Sequence, residues 1–394
     1  MNAPFLPAPF EDELLDGYLG RCCAAHCCTN AKSLIAGLGA HLQLPGPCST
    51  QAAIAAGLTI TPQQVLFRLT TLPAQRAFAP SHKRDGRPRT EALYLMGVQM
   101  RSKVEAMTCA ACLNEDRKHG RTSYWRRIHH LPDVDWCPIH REALLKFDPK
   151  AFRHRPTDAL AQGPGVRLAL PTAFDAASIL GRYAGLLAHW LQRDFVGSSA
   201  ALTHVIRDGC TSHELRWTET GRRPLVSDLI ARQVPTEWLA LHWPDLLTKT
   251  PGEYFARLDG PSKDKHVSYP GAACALVLAT LFDSVSEIQA RLEEAESRFV
   301  SSPDTVRDGA LNAAYLDFIN GAKIDTACRT QQVSAEQLEQ RIRDEAKRWS
   351  RATDGAPRAT PHRRRSPLPA SASVHRPSVA KSSGLEPLSL ALAQ

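Results

Sequence analysis

Two pairs of metal-binding residues in the middle of the chain constrain its fold more than any other feature. They have the forms C-x2-C and C-x2-H, with 24 residues between them: Cys109 and Cys112, then Cys137 and His140. A C-x2-C turn directs two thiolates at one ion, and a second pair completes a tetrahedron at about 2.0–2.3 Å from the metal. Four protein ligands leave no open position for catalysis. The spacing therefore predicts a structural Zn2+ site.

The alternative is a set of buried free cysteines, because the chain has 11 Cys and 15 His from which such pairs could form by chance. Both pairs would have to arise independently, which favours zinc. A structural zinc contributes about 10–16 kcal/mol to folding, as much as the usual stability of a whole domain, about 5–15 kcal/mol. We therefore expect the loss of any one ligand to unfold this region.

The composition is typical of a soluble chain with a packed core, because 43% of the 394 residues are hydrophobic and 22% are charged. This length corresponds to two or three domains. Residues 1–10 lack the basic and apolar segments of a secretory signal. The strongest apolar run, 272–282, is too short to span a bilayer and is interpreted as a buried helix. An odd number of cysteines favours reduced thiols over disulfides. We predict a cytoplasmic protein without a membrane role.

Basic charge is concentrated in two segments. Residues 81–130 carry eleven Lys/Arg and five Asp/Glu, a net of +6, and residues 351–394 carry seven and two, a net of +5. The whole chain carries +8, so the remainder is slightly acidic. Two basic segments on a near-neutral body favour a polyanionic partner, DNA or RNA. Solvated surface charge is the alternative.

The spacing of apolar residues predicts a mainly α fold. Over residues 11–78 it predicts four short helices, the last of which is capped by Thr61, with Gln64 completing a capping box. This helix and the preceding one, residues 51–56, form a helix-turn-helix candidate with a turn at Gly57. Period-two alternation is not found outside the zinc region, which is expected to hold at most a small, zinc-ribbon-like pair of strands.

Breaks rich in proline and glycine divide the chain. We predict a first domain over residues 1–150, with a helical part at 1–79 and a zinc module at 91–147, followed by a helical region at 171–350. Residues 351–394 are rich in Pro, Ser, Ala and Arg, with almost no aromatic residues. They cannot bury enough apolar surface to offset the entropy of ordering, so we predict a disordered basic C-terminal tail.

A second helix-turn-helix candidate lies at residues 323–343, where Ser334 can cap the second helix. The side chains that this helix would present to base edges or phosphates are Gln337, Gln340, Arg341 and Arg343. Acidic neighbours such as Glu336 and Glu339 would repel phosphate, so an ordinary helical hairpin is the alternative. A third candidate, residues 225–246, is weaker and is interpreted as core.

Motifs of the common enzyme classes are not found in the sequence. The zinc deaminase order, H-x-E before P-C-x-x-C, is reversed here, and the P-loop, H-E-x-x-H and G-x-S-x-G patterns do not occur. A second cluster consists of Cys22, Cys23, His26, Cys27 and Cys28. These side chains do not converge on one helical face, so the four cysteines are interpreted as buried apolar residues rather than as metal ligands. A divergent carboxylate nuclease or transposase site stays open at this point.

Three groups of residues carry a resemblance to a known family. The first group is the opening Pro7-Ala8-Pro9-Phe10-Glu11-Asp12-Glu13-Leu14-Leu15 with Tyr18-Leu19-Gly20-Arg21. The second group is Cys109-x2-Cys112-Leu113-Asn114-Glu115-Asp116. The third group is Tyr124-Trp125-Arg126-Arg127 with His129-x-Leu131-Pro132-x-Val134 and Cys137-Pro138-Ile139-His140. Together they resemble the TniQ/TnsD family of bacterial transposon target-selection proteins. The resemblance covers about the first 150 residues.

This resemblance implies a non-catalytic protein that marks a DNA insertion site and recruits the transposon's AAA+ ATPase, which engages a DDE transposase. The partners implied are double-stranded DNA and these two proteins, and the sequence leaves a homodimer open. Trp125 is interpreted as packing in the zinc module, whereas Arg126 and Arg127 either pair with nearby carboxylates or contact phosphates. The alternatives are a transcription regulator with zinc and a helix-turn-helix, a protein adaptor without its own sequence specificity, or a nuclease.

Overall fold

The computed structural model describes residues 6–44, 49–79, 105–168, 175, 177–263, 267–300, 324–331, 334–340 and 342–343. The fold of these residues is mainly α, as predicted. Those up to 339 belong to one compact unit, and a second unit begins at residue 340. Residues 80–104, which include the expected start of the zinc module, and the expected disordered tail lie outside the described residues. The division of the chain near residues 150–171 stays a prediction.

The N-terminal part contains five helices rather than the four predicted, because a single extra turn, α5, follows α4. Their bounds are α1 Leu15–Ala25, α2 Ala31–His41, α3 Thr50–Leu58, α4 Pro62–Leu69 and α5 Leu72–Gln75. Buried side chains of α1 to α4, together with Leu6, form a small core of their own.

The predicted capping box at the start of α4 is confirmed. The backbone N–H of Gln64 donates to Thr61 Oγ1 at 3.1 Å, and the N–H of Thr61 donates to Gln64 Oε1 at 2.9 Å. The turn between α3 and α4 differs from the expectation, because α3 continues past Gly57 and ends with Thr59 in the left-handed conformation at φ 55°. Gly57 instead faces Leu6, whose Cδ1 would lie 2.5 Å from an added Cβ.

Strands are few and short among the described residues. A three-stranded antiparallel sheet consists of β2 Ala106–Thr108, β3 Leu145–Phe147 and β4 Val166–Arg167, and a parallel pair consists of β1 Phe78–Ala79 and β5 Gly197–Ser198. In the antiparallel sheet Ala106 pairs with Phe147 and Thr108 with Leu145. Strand β2 leads directly into the first ligand pair, so a small sheet lies beside the metal module as predicted. Strand β4 and the parallel pair β1–β5 lie outside the zinc region and were not predicted.

Among the described residues, eleven further α-helices with assigned bounds follow the strand β2. They are α6 Ala110–Lys118, α7 Pro156–Gln162, α8 Ile179–Leu191, α9 Ser199–Ser212, α10 Val226–Gln233, α11 Thr236–His242, α12 Pro244–Thr248, α13 Ala256–Lys263, α14 Gly271–Leu281, α15 Val285–Val300 and α16 Ile324–Gln331. Two 3-10 helices, Arg127–His130 and Pro149–Arg153, lie beside the metal module.

The largest core is built around α14, whose eleven residues are all buried, so this apolar run is a core helix as predicted. Helices α8, α9, α10, α11 and α15 contribute buried side chains to the same core. The metal module also contributes buried side chains to this core, namely Leu131, Val134 and Trp136. The shared core therefore joins the module to the C-terminal helices. No single helix among the described residues could span a membrane, although the bent pair 271–281 and 285–298 meets the criteria of length and composition.

Candidate metal centre

The first ligand pair is placed by the junction between β2 and α6. Cys109 is the N-cap residue of α6, with extended backbone angles, and Cys112 lies in the first turn of that helix. Both side chains are buried, at 0% and 2% exposure. This geometry follows from the C-x2-C spacing, because one helical turn brings the two sulfurs to the same side.

The second pair is placed by a tight turn. The backbone N–H of Arg141 donates to the Cys137 carbonyl at 2.7 Å, and the N–H of Cys137 donates to the Glu142 carbonyl at 2.8 Å. Arg141 closes the turn in the left-handed conformation at φ 59°. The N–H of His140 points at Cys137 Sγ, 3.5 Å away. Such an N–H to sulfur contact favours a thiolate at this position.

The four predicted ligands converge, because one donor atom from each lies within 4.8 Å of the others. His140 Nδ1 lies 3.6, 3.3 and 3.6 Å from the sulfurs of Cys109, Cys112 and Cys137, and the sulfurs of Cys112 and Cys137 are 3.8 Å apart. In a tetrahedron with zinc bond lengths, two sulfurs lie about 3.8 Å apart and a sulfur and a nitrogen about 3.6 Å apart. The donor set therefore fits one Zn2+ ion.

The pKa values of the three thiols also favour the binding of a cation at this cluster. Hydrogen bonds from the Cys112 and Cys137 thiols lower the pKa of Cys109, whereas its proximity raises the pKa of Cys112 and raises the pKa of Cys137 to about 11. One thiolate thus opposes ionisation of the other two. A divalent cation removes this opposition, because a thiol that coordinates a metal ion is deprotonated.

A carboxylate that is not itself a candidate ligand forms a hydrogen bond with the histidine ligand. Glu115 Oε1 lies 3.0 Å from His140 Nε2, so this carboxylate fixes the ring with Nδ1 toward the sulfurs. Although burial disfavours the imidazolium, hydrogen bonds to Glu115 and Cys109 raise the pKa of His140. Metal-binding histidines commonly use a carboxylate in this way to fix the tautomer and raise the basicity of the ligand atom.

His129 is a neighbour of the cluster to which the sequence analysis assigned no role. It is fully buried, with Nε2 3.5 Å from Cys112 Sγ and 3.6 Å from Cys137 Sγ. Burial lowers its pKa to about 3, so the ring is neutral. Among the described residues its Nδ1 has no hydrogen-bond partner, so we assign the ring proton to Nε2, which faces two sulfur acceptors. His129 therefore donates toward two ligand sulfurs. The only sequence signal was its place in the motif around the second pair.

The structure places Arg126 beside the metal module in an ion pair. Its Nη2 lies 2.7 Å from Asp116 Oδ1, and its guanidinium stacks on the Tyr124 ring at 4.4 Å. The neighbouring Trp125 is buried and donates from Nε1 to the His154 carbonyl at 2.8 Å. These contacts are the carboxylate pairing and the packing that the sequence analysis weighed. DNA contact by Arg126 stays a prediction.

Arg127 is buried more deeply, with 5% of its side chain exposed. Its Nε lies 3.2 Å from Asp12 Oδ1, and its Nη1 donates to the carbonyls of Phe67 at 2.5 Å and Thr70 at 3.3 Å. These carbonyls lie at the end of α4, where a cation is favourable because it satisfies unpaired C=O groups and interacts with the helix dipole. Arg127 thus links the metal module to the helix-turn-helix pair α3–α4. DNA contact by Arg127 also stays a prediction.

The residues proposed for DNA contact in 323–343 are described only in part. Residues 335–340 and 342–343 are helical, and Ser334 and Gln337 form the expected capping box, with both hydrogen bonds at 3.2 Å. Gln340 and Arg343 are exposed, and Arg343 Nε donates to Gln340 Oε1 at 3.3 Å. Arg341 lies outside the described residues. DNA contact by these side chains also stays a prediction.

The cysteine cluster in α1 forms no ligand set among the described residues. Cys22 and Cys23 are buried in the small N-terminal core, and Cys27 is exposed. Burial raises the pKa of Cys22 to about 11, which keeps it a protonated, apolar thiol. The interpretation as buried apolar residues is therefore confirmed for Cys22 and Cys23, whereas it is wrong for Cys27, which follows the end of α1 and faces solvent.

Comparison with known proteins places the metal centre inside a family domain. Residues 4–144 match the family model described as TniQ, a span that contains all four ligands and His129. A search of curated proteins found no match to the chain.

Proposed function

We propose that this chain, which belongs to the TniQ family through residues 4–144, is a non-catalytic protein that selects the DNA site of transposon insertion. The family implies a role in transposition-associated target-site selection. In the finer proposal, the protein binds double-stranded DNA and recruits an AAA+ ATPase, through which a DDE transposase is engaged. The protein is expected to act in the cytoplasm.

The observation that carries this proposal is the closed Cys3His centre within the family domain. Its four protein ligands would complete the tetrahedral coordination sphere of a Zn2+ ion. Such an ion would contribute to the folding free energy and would have no free coordination position for a substrate. The chain's own residues do the rest. Glu115 orients His140, and His129, which lies in the same 3-10 helix as Arg127, contacts two of the sulfurs.

The helix-turn-helix pair α3–α4 supports the DNA-binding part of the proposal. The two helices are joined by a short turn, and α4 has Gln63 and Gln64 half-buried and Arg68 exposed. Amide and guanidinium groups are the side chains that address base edges and phosphates in a major groove. Because Arg126 and Arg127 are engaged in ion pairs, we favour α4 as the reading element of this domain.

The experiment is a selection from a random pool of duplex DNA by the purified full chain at physiological salt, because salt separates specific binding from backbone binding. We expect an enriched motif, which the double variant Gln63→Ala/Arg68→Ala would weaken or alter without removing the capping box of Thr61 and Gln64. The matched control is Lys32→Ala, an exposed substitution in α2. Uniform retention without a motif would refute base reading and favour a protein adaptor. Recruitment is tested separately, by pull-down of the ATPase of the same element.

A further inference from the structure

Outside the family domain, the loops around α10 form a cleft of about 840 Å3 with a marked excess of basic charge. Five basic side chains line it, namely Arg216, Arg222, Arg223, Arg232 and Lys249, against the two acidic residues Glu219 and Asp228. The net charge of the lining is therefore +3. We refer to it as the arginine cleft.

Both carboxylates of the cleft are neutralised by lysines. Asp228 lies 2.5 Å from Lys249 Nζ and also accepts from the N–H of Leu225 at 2.9 Å and of Gly252 at 3.1 Å. Burial alone would raise the pKa of Asp228, but these hydrogen bonds lower it, so it remains an ionised partner of Lys249. Glu219 pairs with Lys263. Neither carboxylate is left to oppose an incoming anion.

Three of the arginines have no such partner. Arg222, Arg223 and Arg232 are exposed, and within the described part of the chain none of them makes a hydrogen bond or an ion pair. Arg216 instead donates hydrogen bonds to the carbonyls of Gly221 and Gly252, which also line the cleft. The cleft thus presents three uncompensated guanidinium groups from a loop and a helix that are held in place by their neighbours.

The adjacent helix does not add base-reading groups. Helices α10 and α11 are consecutive and short, but the exposed residues of α11 are Glu237, Ala240, Leu241 and, at its first position, Thr236. A carboxylate and apolar side chains are poor partners for the edges of most bases and for phosphate. Guanidinium groups, in contrast, form paired, charge-assisted hydrogen bonds with phosphate oxygens.

We propose that the arginine cleft binds the phosphate backbone of duplex DNA without reading its sequence, through Arg222, Arg223 and Arg232. The inference rests on the proposed function in that the chain binds DNA. It adds a second, sequence-independent contact on the C-terminal helical body, distinct from any reading element in the family domain. Its role is to increase affinity for any duplex and so to hold DNA while the site is selected.

The test measures binding of a labelled duplex of arbitrary sequence to the full chain by fluorescence anisotropy between about 50 and 200 mM salt, where backbone contacts change affinity most steeply. Each phosphate contact contributes about 0.9 to the slope of log K against log salt. We expect the triple variant Arg222→Gln/Arg223→Gln/Arg232→Gln to lower this slope by about 2–3 and to weaken binding about tenfold or more at the lowest salt.

Two controls separate the cleft from net charge and from folding. The triple Arg→Lys variant at the same positions keeps the charges and should retain most of the slope. The variant Lys32→Gln/Lys118→Gln/Lys150→Gln removes three exposed charges elsewhere and should lower the slope less. An equal effect from this variant, or no effect from the Arg→Gln triple while the wild type binds DNA, would overturn the cleft inference alone.

Two further outcomes concern the ligand. If the wild-type chain does not bind duplex DNA even at the lowest salt, both this inference and the DNA-binding part of the proposed function fail. A parallel titration uses an RNA duplex of the same sequence, which offers the same phosphates in A-form geometry. Tighter binding of RNA that the Arg→Gln triple abolishes would assign the cleft to RNA and overturn the assignment to DNA.

Discussion

Replacement of His242 should remove a pH-dependent contribution to stability at the contact between the metal module and α11. His242 Nε2 lies 3.0 Å from Asp135 Oδ2, and its Nδ1 lies 3.6 Å from Asp133 Oδ1. The imidazole is 12% exposed. Trp238 donates from Nε1 to the Asp133 carbonyl at 3.1 Å in the same contact. One protonated ring therefore joins two carboxylates of the metal module to the C-terminal helices.

The size of the effect follows from the pKa. Burial disfavours the imidazolium, but hydrogen bonds and charge attraction from Asp133 and Asp135 outweigh burial and raise the pKa of His242 from 6.5 to about 9. Each unit of pKa shift corresponds to about 1.4 kcal/mol, so protonated His242 stabilises the fold by about 3 kcal/mol. Because the folded-state pKa is the higher one, this contribution is fully present below pH 6.5 and is lost as the pH rises through about 9.

The assay is urea unfolding of the wild type and of His242→Gln, followed by tryptophan fluorescence at several pH values from about 6.5 to 9.5, where the zinc ligands stay deprotonated. The free energy of unfolding should differ most at the lowest pH. The difference should shrink by up to about 1.4 kcal/mol per pH unit between pH 6.5 and about 9, where folded His242 keeps a proton that the unfolded chain has lost. The single variant Asp135→Asn should flatten the same pH dependence.

The matched control is His204→Gln. His204 is 42% exposed and lies 3.5 Å from Asp208, so its ion pair is screened by water and should contribute little at any pH. A stability difference for His242→Gln that is constant over this range, or that grows with pH, would refute a protonated histidine between the two carboxylates.

Three other substitutions test the metal centre and the packing. Cys112→Ser should reduce bound zinc from about one ion per chain to nearly none and unfold the metal module, as measured by metal analysis and circular dichroism. Arg127→Met should destabilise the fold by about 3–5 kcal/mol because Asp12 is left buried without its partner, and adding Asp12→Asn should recover part of that loss in denaturant unfolding. Gly271→Ala should cost at least about 2 kcal/mol, because its Cβ would lie 1.9 Å from a backbone carbonyl of α5. The control Gly37→Ala, which meets no atom within 4 Å, should stabilise the protein slightly, and thermal unfolding of both glycine variants measures the two effects.

Features that depend on a few neighbouring residues could be predicted from the sequence. The zinc ligands follow from two local spacings, and the capping box at Thr61 and Gln64 spans one helical turn. The apolar run in α14 identified a buried helix for the same reason, since it is apolar around its whole circumference. In each case the chemistry and the geometry lie within a short segment.

Features that depend on distant partners could not be predicted. Arg127 is paired with a residue 115 positions earlier in the chain, and His242 with one 107 positions earlier. From the sequence alone, Arg127 is as well suited to contact a phosphate as to form an ion pair. His242 is as well suited to an exposed position as to a buried one. The arginine cleft combines residues from a loop, from α10 and from the segment after α12. Only the tertiary structure shows which of their charges are paired.

One short segment connects the candidate metal centre to α4, so a Zn2+ ion bound there would act beyond its own module. His129 contacts two ligand sulfurs, and two residues earlier Arg127 holds the carbonyl of Phe67 at the end of α4. Both belong to the 3-10 helix Arg127–His130, so they move as one unit. If zinc fixes the sulfurs, it fixes His129, the 3-10 helix and the C-terminal end of α4 in turn. Loss of the metal should therefore impair DNA reading by α4 even where the remaining helices stay folded.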